Sequence, residues 1–321
     1  EYYIKRPKDL IAAGEVDPTT GFASLTINSG NLDGRGVDVM LNFTNIKKQQ
    51  FSWMTNLVFS YNRTKVTRSY ISNNVARNYI AGIGASLATP IEGMDLYSLL
   101  TFPWAGLDPA TGAPQGIVKG EVSKDYAAIV YDSKIEDVDN HGSRVPLYFG
   151  SFRNTFNLKD FELSFNIGYQ LGHKFIRKSF DNQSFIDQGI GHADYALRWQ
   201  NPGDELRTDV PAFNYPNALY SSDFYRASSA LVSSASQIKW KDIQLSWQLP
   251  MMAKLPVKNS RLYAYVQNIC TLWRANKWGA DPDFGTNIPL PRTYSLGFNC
   301  SFLTYENLSI IIHYAFTQLM Q

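Results

Sequence analysis

Hydrophobic and polar positions alternate along much of this chain. From 294 to 302, Tyr294, Leu296, Phe298, Cys300 and Phe302 fall on one face of an extended strand, and Ser295, Gly297, Asn299 and Ser301 on the other. Residues 37–43 repeat the pattern, with Val37, Val39, Leu41 and Phe43 against Asp38 and Asn42. So do residues 51–61, where Phe51, Trp53, Leu57, Phe59 and Tyr61 oppose Asn56 and Ser60. Residues 161–170 set Phe161, Leu163, Phe165, Ile167 and Tyr169 against Glu162, Ser164, Asn166, Gly168 and Gln170. Residues 242–249 set Ile243, Leu245, Trp247 and Leu249 against Asp242, Gln244, Ser246 and Gln248. Such period-two alternation predicts β-strands. Their lengths suit the roughly 9–11 residues with which a strand crosses a bilayer.

The connections are of two kinds. Residues 45–50, Lys159 with Asp160, and residues 250–259 are short. Residues 64–144, 172–236 and 271–290 are long and rich in Gly, Pro, Asn, Asp, Ser, Tyr and Trp. Following the strand directions in turn places every long connection on one side and every short one on the other. Loops beyond about 15 residues are uncommon in compact soluble domains. Outer-membrane barrels carry short periplasmic turns and long extracellular loops. The polar second face argues against a small barrel filled with apolar side chains and predicts a polar lumen with lipid on the apolar face. The expected fold class is all-β, an antiparallel transmembrane β-barrel.

Composition changes this picture little. Aromatic residues make up 14% of the chain, a load suited to pleated surfaces. The formal net charge of +2 gives no reason to expect a nucleic-acid surface. Mean hydropathy is −0.24, and no segment approaches the roughly 18 apolar residues of a membrane helix. Alternating barrel strands keep average hydropathy low, so neither fact argues against a membrane position. Cys270 and Cys300 suffice for no disulfide framework or zinc site. On a hairpin of residues 260–270 with 291–301 they stand near opposite ends, too far apart to bridge.

Several longer stretches carry a family resemblance. Gly36, Val37 and Asp38 fill the start of a G-[IV]-[ED] strand. Gly106, Leu107, Asp108, Thr111, Gly112 and Pro114 fill a G-[IL]-D-x-x-T-G-x-P loop. Gly142, Ser143, Pro146, Gly150, Asn154 and Phe161 fit a characteristic hairpin, and Arg198, Trp199, Pro202, Gly203, Asp204 and Pro211 fit an RWxxPGD…P loop. "RLYAYVQNICTLW", "GADPDFG" and "PRTYSLGFNCSF" follow in the same order. Together, over about residues 2–302, the chain resembles the C-terminal barrel portion of SusC/RagA-type TonB-dependent outer-membrane transporters. It departs at Met94 and Asp95, near a position where Pro is common, and at Ser234–Gln237, where an Asp-Gly-Ser-Tyr type of start is usual.

The resemblance implies a large plugged barrel in a Bacteroidetes-type outer membrane. Residues 1–302 would form its C-terminal part, and the plug domain is expected to be absent from this chain. Tyr294, Leu296, Phe298 and Phe302 would belong to the barrel-closing strand, and residues 303–321 to an atypical extension, a short amphipathic or disordered periplasmic tail. The implied function is nutrient import of glycans or peptides. The implied partners are a SusD-like surface lipoprotein, the TonB complex (through the missing N-terminal part), outer-membrane lipid and the glycan or peptide ligand. A soluble all-β carbohydrate-binding module or surface adhesin is the alternative from another class.

Aromatic faces with polar groups bind sugars, which makes Trp104, Trp199, Trp273 and Trp278, with Arg198, the candidate ligand-binding residues. The competing role for each is packing of one loop against another. Gly106, Asp108 and Gly112, and Pro202, Gly203 and Asp204, are expected to form structural turns, with Arg198 placed to pair with Asp204. Trp53, Trp240 and Trp247 fit the membrane or its aromatic girdle. The acidic stretch 132–142 does not match the EF-hand spacing, and a solvated loop is expected. His141, His173, His192 and His313 are scattered, and GxSxG, HExxH and P-loop motifs are missing. The reading is a non-enzyme without cofactor or metal.

Overall fold

In the computed structural model, which describes residues 1–15, 24–70, 74–83, 87–250, 257–284, 289–303 and 309–320, the alternating segments pair into one antiparallel sheet of ten strands. They are β1 (Tyr2–Lys5), β2 (Leu10–Glu15), β3 (Ser24–Lys47), β4 (Phe51–Ser69), β5 (Tyr148–Leu158), β6 (Phe161–Leu171), β7 (Gln237–Gln248), β8 (Val257–Arg274), β9 (Arg292–Leu303) and β10 (Ser309–Met320). From β3 to β10 each strand lies beside the next one in sequence, while β1 and β2 both pair with β3.

Register carries each face across the sheet. Trp53, Phe156, Leu163, Leu245, Ala264 and Leu296 stand in one cross-strand row. Asn42, Asn56, Arg153, Asn166, Asp242, Gln267 and Thr293 stand in another, on the opposite face. A bulge at Lys241 keeps Trp240 and Ile238 in phase with Ile167 and Tyr169. The burial pattern is that of a membrane wall. Leu296 is 64% and Leu245 49% exposed, while Asp242 and Ser246 are 6% and 1% exposed. The polar face is tied together by side chains. Arg153 donates to Asp242 at 3.1 Å, Asn56 to Asn42 at 2.7 Å, and Arg261 to Ser246 at 2.8 Å and to Glu162.

Aromatic residues gather at both ends of the apolar face. Trp53 stacks on Phe156, and Trp247 on Phe161, near the short turns. Tyr61 packs against Tyr148 at the other end. Trp53 and Tyr61 are about 27 Å apart along the strand at roughly 3.4 Å per residue, comparable with the ~25 Å apolar band of outer-membrane barrels. Three tyrosines lie directly opposite glycines: Tyr3 with Gly36, Tyr169 with Gly150 and Tyr263 with Gly297. A Cβ at any of these glycines would collide with the ring, so the missing side chain is what lets the ring lie flat on the neighbouring strand.

One polar cluster breaks the apolar face. Asn154 shares that face with Phe152 and Phe156, yet its Oδ1 accepts from Trp53 Nε1 and Thr55 Oγ1, both at 2.8 Å. Asn45 in turn donates to Thr55 Oγ1 at 2.7 Å. Three strands are thereby joined by side chains where water does not compete. Replacing Asn154 with Leu strands the indole N–H and the Thr55 hydroxyl, an expected loss of about 1–2 kcal/mol. Adding Thr55→Val should recover part of it, because a polar group left without a partner is removed. Urea unfolding of the whole receptor in lipid vesicles reads both values. A neutral Asn154→Leu would show that the cluster does not stabilise the wall.

The expected tail at 303–321 is corrected by the pairing of β10. Residues 309–320 form a strand in continuous antiparallel register with β9, from Arg292 opposite Met320 to Leu303 opposite Ser309. The alternation persists in phase: Ile310, Ile312, Tyr314 and Phe316 are opposite Phe302, Cys300, Phe298 and Leu296. Tyr294, Leu296, Phe298 and Phe302 lie on β9, which pairs with β8 on one side and with β10 on the other. The long connections also shift, to 70–147, 172–236 and 275–291, since β4 and β8 run further than the alternation suggested. The short connection at 250–259 lies largely outside the described residues. Cys270 and Cys300 are both free.

Candidate ligand-binding site

Among the described residues, the largest cluster of buried apolar side chains is in the long connections and not in the sheet. Residues 70–147 contribute a two-stranded sheet (Ser98–Thr101 with Asp139–Ser143) and a three-stranded one (Trp104–Leu107, Pro114–Val118, Glu121–Ser123). Residues 172–236 contribute the strand pair Lys174–Ile176 with Val232–Ser234 and two short helices, α1 (Asn182–Gln188) and α2 (Ser221–Arg226). The two connections are joined at Phe102, whose N–H donates to Ala227 O at 3.0 Å and whose carbonyl accepts from Ser229 N at 2.9 Å. Ile80, Leu100, Phe102, Ile129, Val130 and Phe224 are fully buried together.

The quoted motifs build the turns of this body. Asp108 Oδ1 accepts from the N–H of Ala110 at 2.8 Å and of Thr111 at 3.2 Å. Lys124 and these amide donors hold the Asp108 carboxyl below its ordinary range. Gly106 and Gly112 take positive φ. In the second motif Asp204 Oδ2 accepts from Gln200 N and Asn201 N, at 3.0 and 2.9 Å, and Gly203 turns the chain at φ 102°. The expected Arg198–Asp204 pair does not form. Backbone donors engage Asp204, and Arg198 stacks on the Tyr195 ring at 4.0 Å while donating to Tyr195 O at 3.0 Å.

The candidate tryptophans separate into two groups. Trp104 stacks on Phe224 with ring centres 5.9 Å apart. Trp199 is buried beside Leu107 and Ala212, covers Gly112, and donates its indole N–H to Glu205 at 3.0 Å. Both occupy the interior of the loop body. Trp273 and Trp278 are half-exposed. Trp273 lies at the loop end of β8, opposite Ile238. Trp278 lies over the Arg177 guanidinium at 3.7 Å.

Arg177 marks the place where all three long connections meet. A cavity of about 800 Å³ is lined by Leu87, Leu99 and Arg144 from the first, by residues 174–181, Ile190, His192, Tyr225 and Arg226 from the second, and by Pro282 from the third. Sequence reasoning singled out only Trp278 of this neighbourhood. Lys174, Arg177 and Lys178 are neighbours in ordinary loop text, and tertiary folding brings Arg144 and Arg226 to them. Arg177 is 5% exposed and pairs with Asp194. Burial raises the Asp194 pKa, but hydrogen bonds from Ser179 and Arg177, and the Arg177 charge, outweigh it and hold the carboxyl below its ordinary range. The pair's stabilisation is accordingly present above the ordinary carboxylate range and lost as pH falls through the lowered value. Burial pushes the Arg144 guanidinium down. The third connection is pinned by Lys239, whose Nζ reaches Asp281 at 2.9 Å and Asp283 at 2.7 Å.

Among the described residues no cluster of His, Cys, Asp and Glu is gathered as a metal site would require. In the acidic stretch Asp137 caps its own turn, accepting from Lys134 N at 2.9 Å.

No protein-family profile matches the chain. It is 26% identical to TonB-dependent receptor P26 of Formosa agariphila, over 94% of this chain and 32% of the relative. It is 23% identical to TonB-dependent receptor P3 of the same organism, over the same shares. The chain thus spans about a third of the length of the curated relatives it matches. The solved structure of the RagAB peptide transporter aligns with a TM-score of 0.63 at 20% identity, covering 89% of this chain and 30% of that one. These relatives carry the names of receptors and of a peptide transporter. The ordered motifs, the two-faced antiparallel sheet and these alignments agree: over about a third of their length the chain is similar to TonB-dependent receptors, and it folds as antiparallel strands of a barrel wall with long loops.

Proposed function

We propose that this chain supplies barrel strands and extracellular loops to a TonB-dependent importer of oligosaccharides or peptides. A SusD-like lipoprotein would cap its outer face, and TonB would couple through other parts of the whole protein. The observation that carries this reading is the meeting of three long connections around one cavity at the loop end of a wall with a polar inner face. A fixed body of loops can select a ligand before it enters the lumen. Leu206, Tyr215 and Leu219, all strongly exposed in the second connection, are apolar side chains that a protein cap could cover.

Uptake by cells carrying the whole receptor, supplied with labelled oligosaccharide and peptide pools, tests the proposal. At least one pool should enter about tenfold faster than in receptor-less cells, and disabling the TonB complex should abolish the difference. Uptake unaffected by loss of coupling, or no uptake from either pool, would overturn it.

A further inference from the structure

A second cavity lies between the first two connections and shares no lining residue with the one around Arg177. Thr111, Ala113, Pro114 and Tyr126 of the first connection form one side of it, and parts of residues 182–221 of the second form the other. Its volume is about 460 Å³, within the range of small-ligand sites. No Asp, Glu, Lys, Arg or His is among its described lining residues. Amides, hydroxyls, prolines and tyrosines line it instead.

One wall is a fixed segment. Pro211 and Pro216 restrict its backbone. Asn182 Nδ2 donates to Ala212 O at 3.1 Å, and Asn217 Nδ2 donates to Gln183 Oε1 and Ser222 Oγ, both at 3.2 Å. Between these anchors Asn214 and Tyr215 are exposed, Tyr215 by 78%. Neither side chain has a hydrogen bond or ring contact among the described residues. Thr111, on the first connection, is exposed as well. Its oxygen accepts from Ala113 N at 3.4 Å, which leaves its O–H to donate.

An accessible ring beside a free amide and a hydroxyl matches a pyranose. The C–H groups on one face of the sugar carry slight positive charge and lie on the negative face of an aromatic ring. The hydroxyls around its edge donate and accept, as an amide requires. A charged ligand would leave water and meet no opposite charge in this lining. A peptide main chain could satisfy the amide alone. We propose that this cavity is a subsite for an uncharged pyranose unit of the imported oligomer, with Tyr215 as its stacking platform and Asn214 and Thr111 as its polar contacts. The inference deepens the import reading and rests on it for how the sugar reaches the loops. Tyr215 then serves the ligand, while Leu206 and Leu219, outside the lining, remain for a cap.

Calorimetric titration of the purified whole receptor in detergent tests the subsite. The probes are tetrasaccharides of glucose, mannose and galactose, a tetrasaccharide of glucuronic acid, and tetraglutamine. At least one neutral sugar should bind, about tenfold tighter than the glucuronate, with little dependence on salt. Tyr215→Ala should weaken that binding about tenfold. Tyr215→Phe keeps the ring and should stay within about twofold. Asn214→Ala should lose a factor of about three to ten. These positions are exposed, so the variants should fold normally, and Leu206→Ser should leave sugar binding unchanged. No binding of any neutral sugar, glucuronate or tetraglutamine binding as tightly as the best of them, or an unchanged affinity in Tyr215→Ala would each overturn the subsite. Uptake reads import and this titration reads the cavity, so either reading can fail without the other.

Discussion

Leu245→Arg is expected to cost the assembled receptor about 2–4 kcal/mol, whereas Gln244→Arg, one residue away, should be close to neutral. The two positions alternate across β7. Leu245 is half-exposed in a row with Leu163 and Ala264. Gln244 lies on the polar face, where its amide donates to Ser246 at 2.9 Å. In water a half-exposed Leu could become Arg at a cost within about 0.5 kcal/mol. In a lipid-facing position the charge must be drawn toward the hydrocarbon, which costs about 2–4 kcal/mol near the bilayer middle and less toward the interfaces. The pair thus measures which solvent each face meets. Unfolding of the whole receptor in vesicles gives the difference directly. Equal tolerance of both changes would remove the argument that the apolar face meets lipid.

The wall was legible in the sequence because its determinants are local. A strand needs only alternation within itself, and register follows once neighbouring strands must match apolar face to apolar face. That is why residues 161–170 and 242–249 could be assigned faces without a partner in view. Asn154 is the informative exception. It interrupts the apolar set of β5, and nothing near it in sequence says that Trp53 and Thr55, about a hundred positions away, will satisfy it. The strand at 309–320 was legible by the same rule but was set aside as a tail, because the family resemblance stops near Phe302. The alternation itself continues there, through Ile310, Ile312, Tyr314 and Phe316.

The loop body was much less legible, and so was the cavity. Its core joins Ile80, Leu100 and Ile129 to Phe224, from segments that no periodicity connects. Long, Gly- and Pro-rich connections suggested irregular chain, and tryptophans in them suggested ligand contacts. Trp104 and Trp199 are part of what makes those connections a folded unit, and Arg144 and Arg226 join Lys174, Arg177 and Lys178 only through that folding.

This division of labour gives the second large expectation. Phe224→Ala should destabilise the loop body by about 3–5 kcal/mol while leaving the wall in place. Phe224 is fully buried and meets Phe102, Trp104 and Tyr126 with ring centres 6.3, 5.9 and 5.9 Å apart. Removing a ring from such a site loses its transfer free energy and leaves a cavity that neighbours fill only in part. Phe224 also lies on α2, which ends at Arg226 and is followed by Ala227, whose carbonyl receives the Phe102 N–H. Loosening α2 should therefore separate the first and second connections and disperse the cavity they share. The sheet shares none of these contacts, since its strands are held by their own ladders. The expected result is a receptor that reaches the outer membrane in normal amounts but has loops open to protease and has lost ligand binding. Limited proteolysis of intact cells, with the amount of membrane-embedded receptor as the internal standard, measures both parts. If the variant failed to assemble at all, the loop body and the wall would be one cooperative unit; if its loops stayed resistant, the Phe224 cluster would not be what holds the connections together.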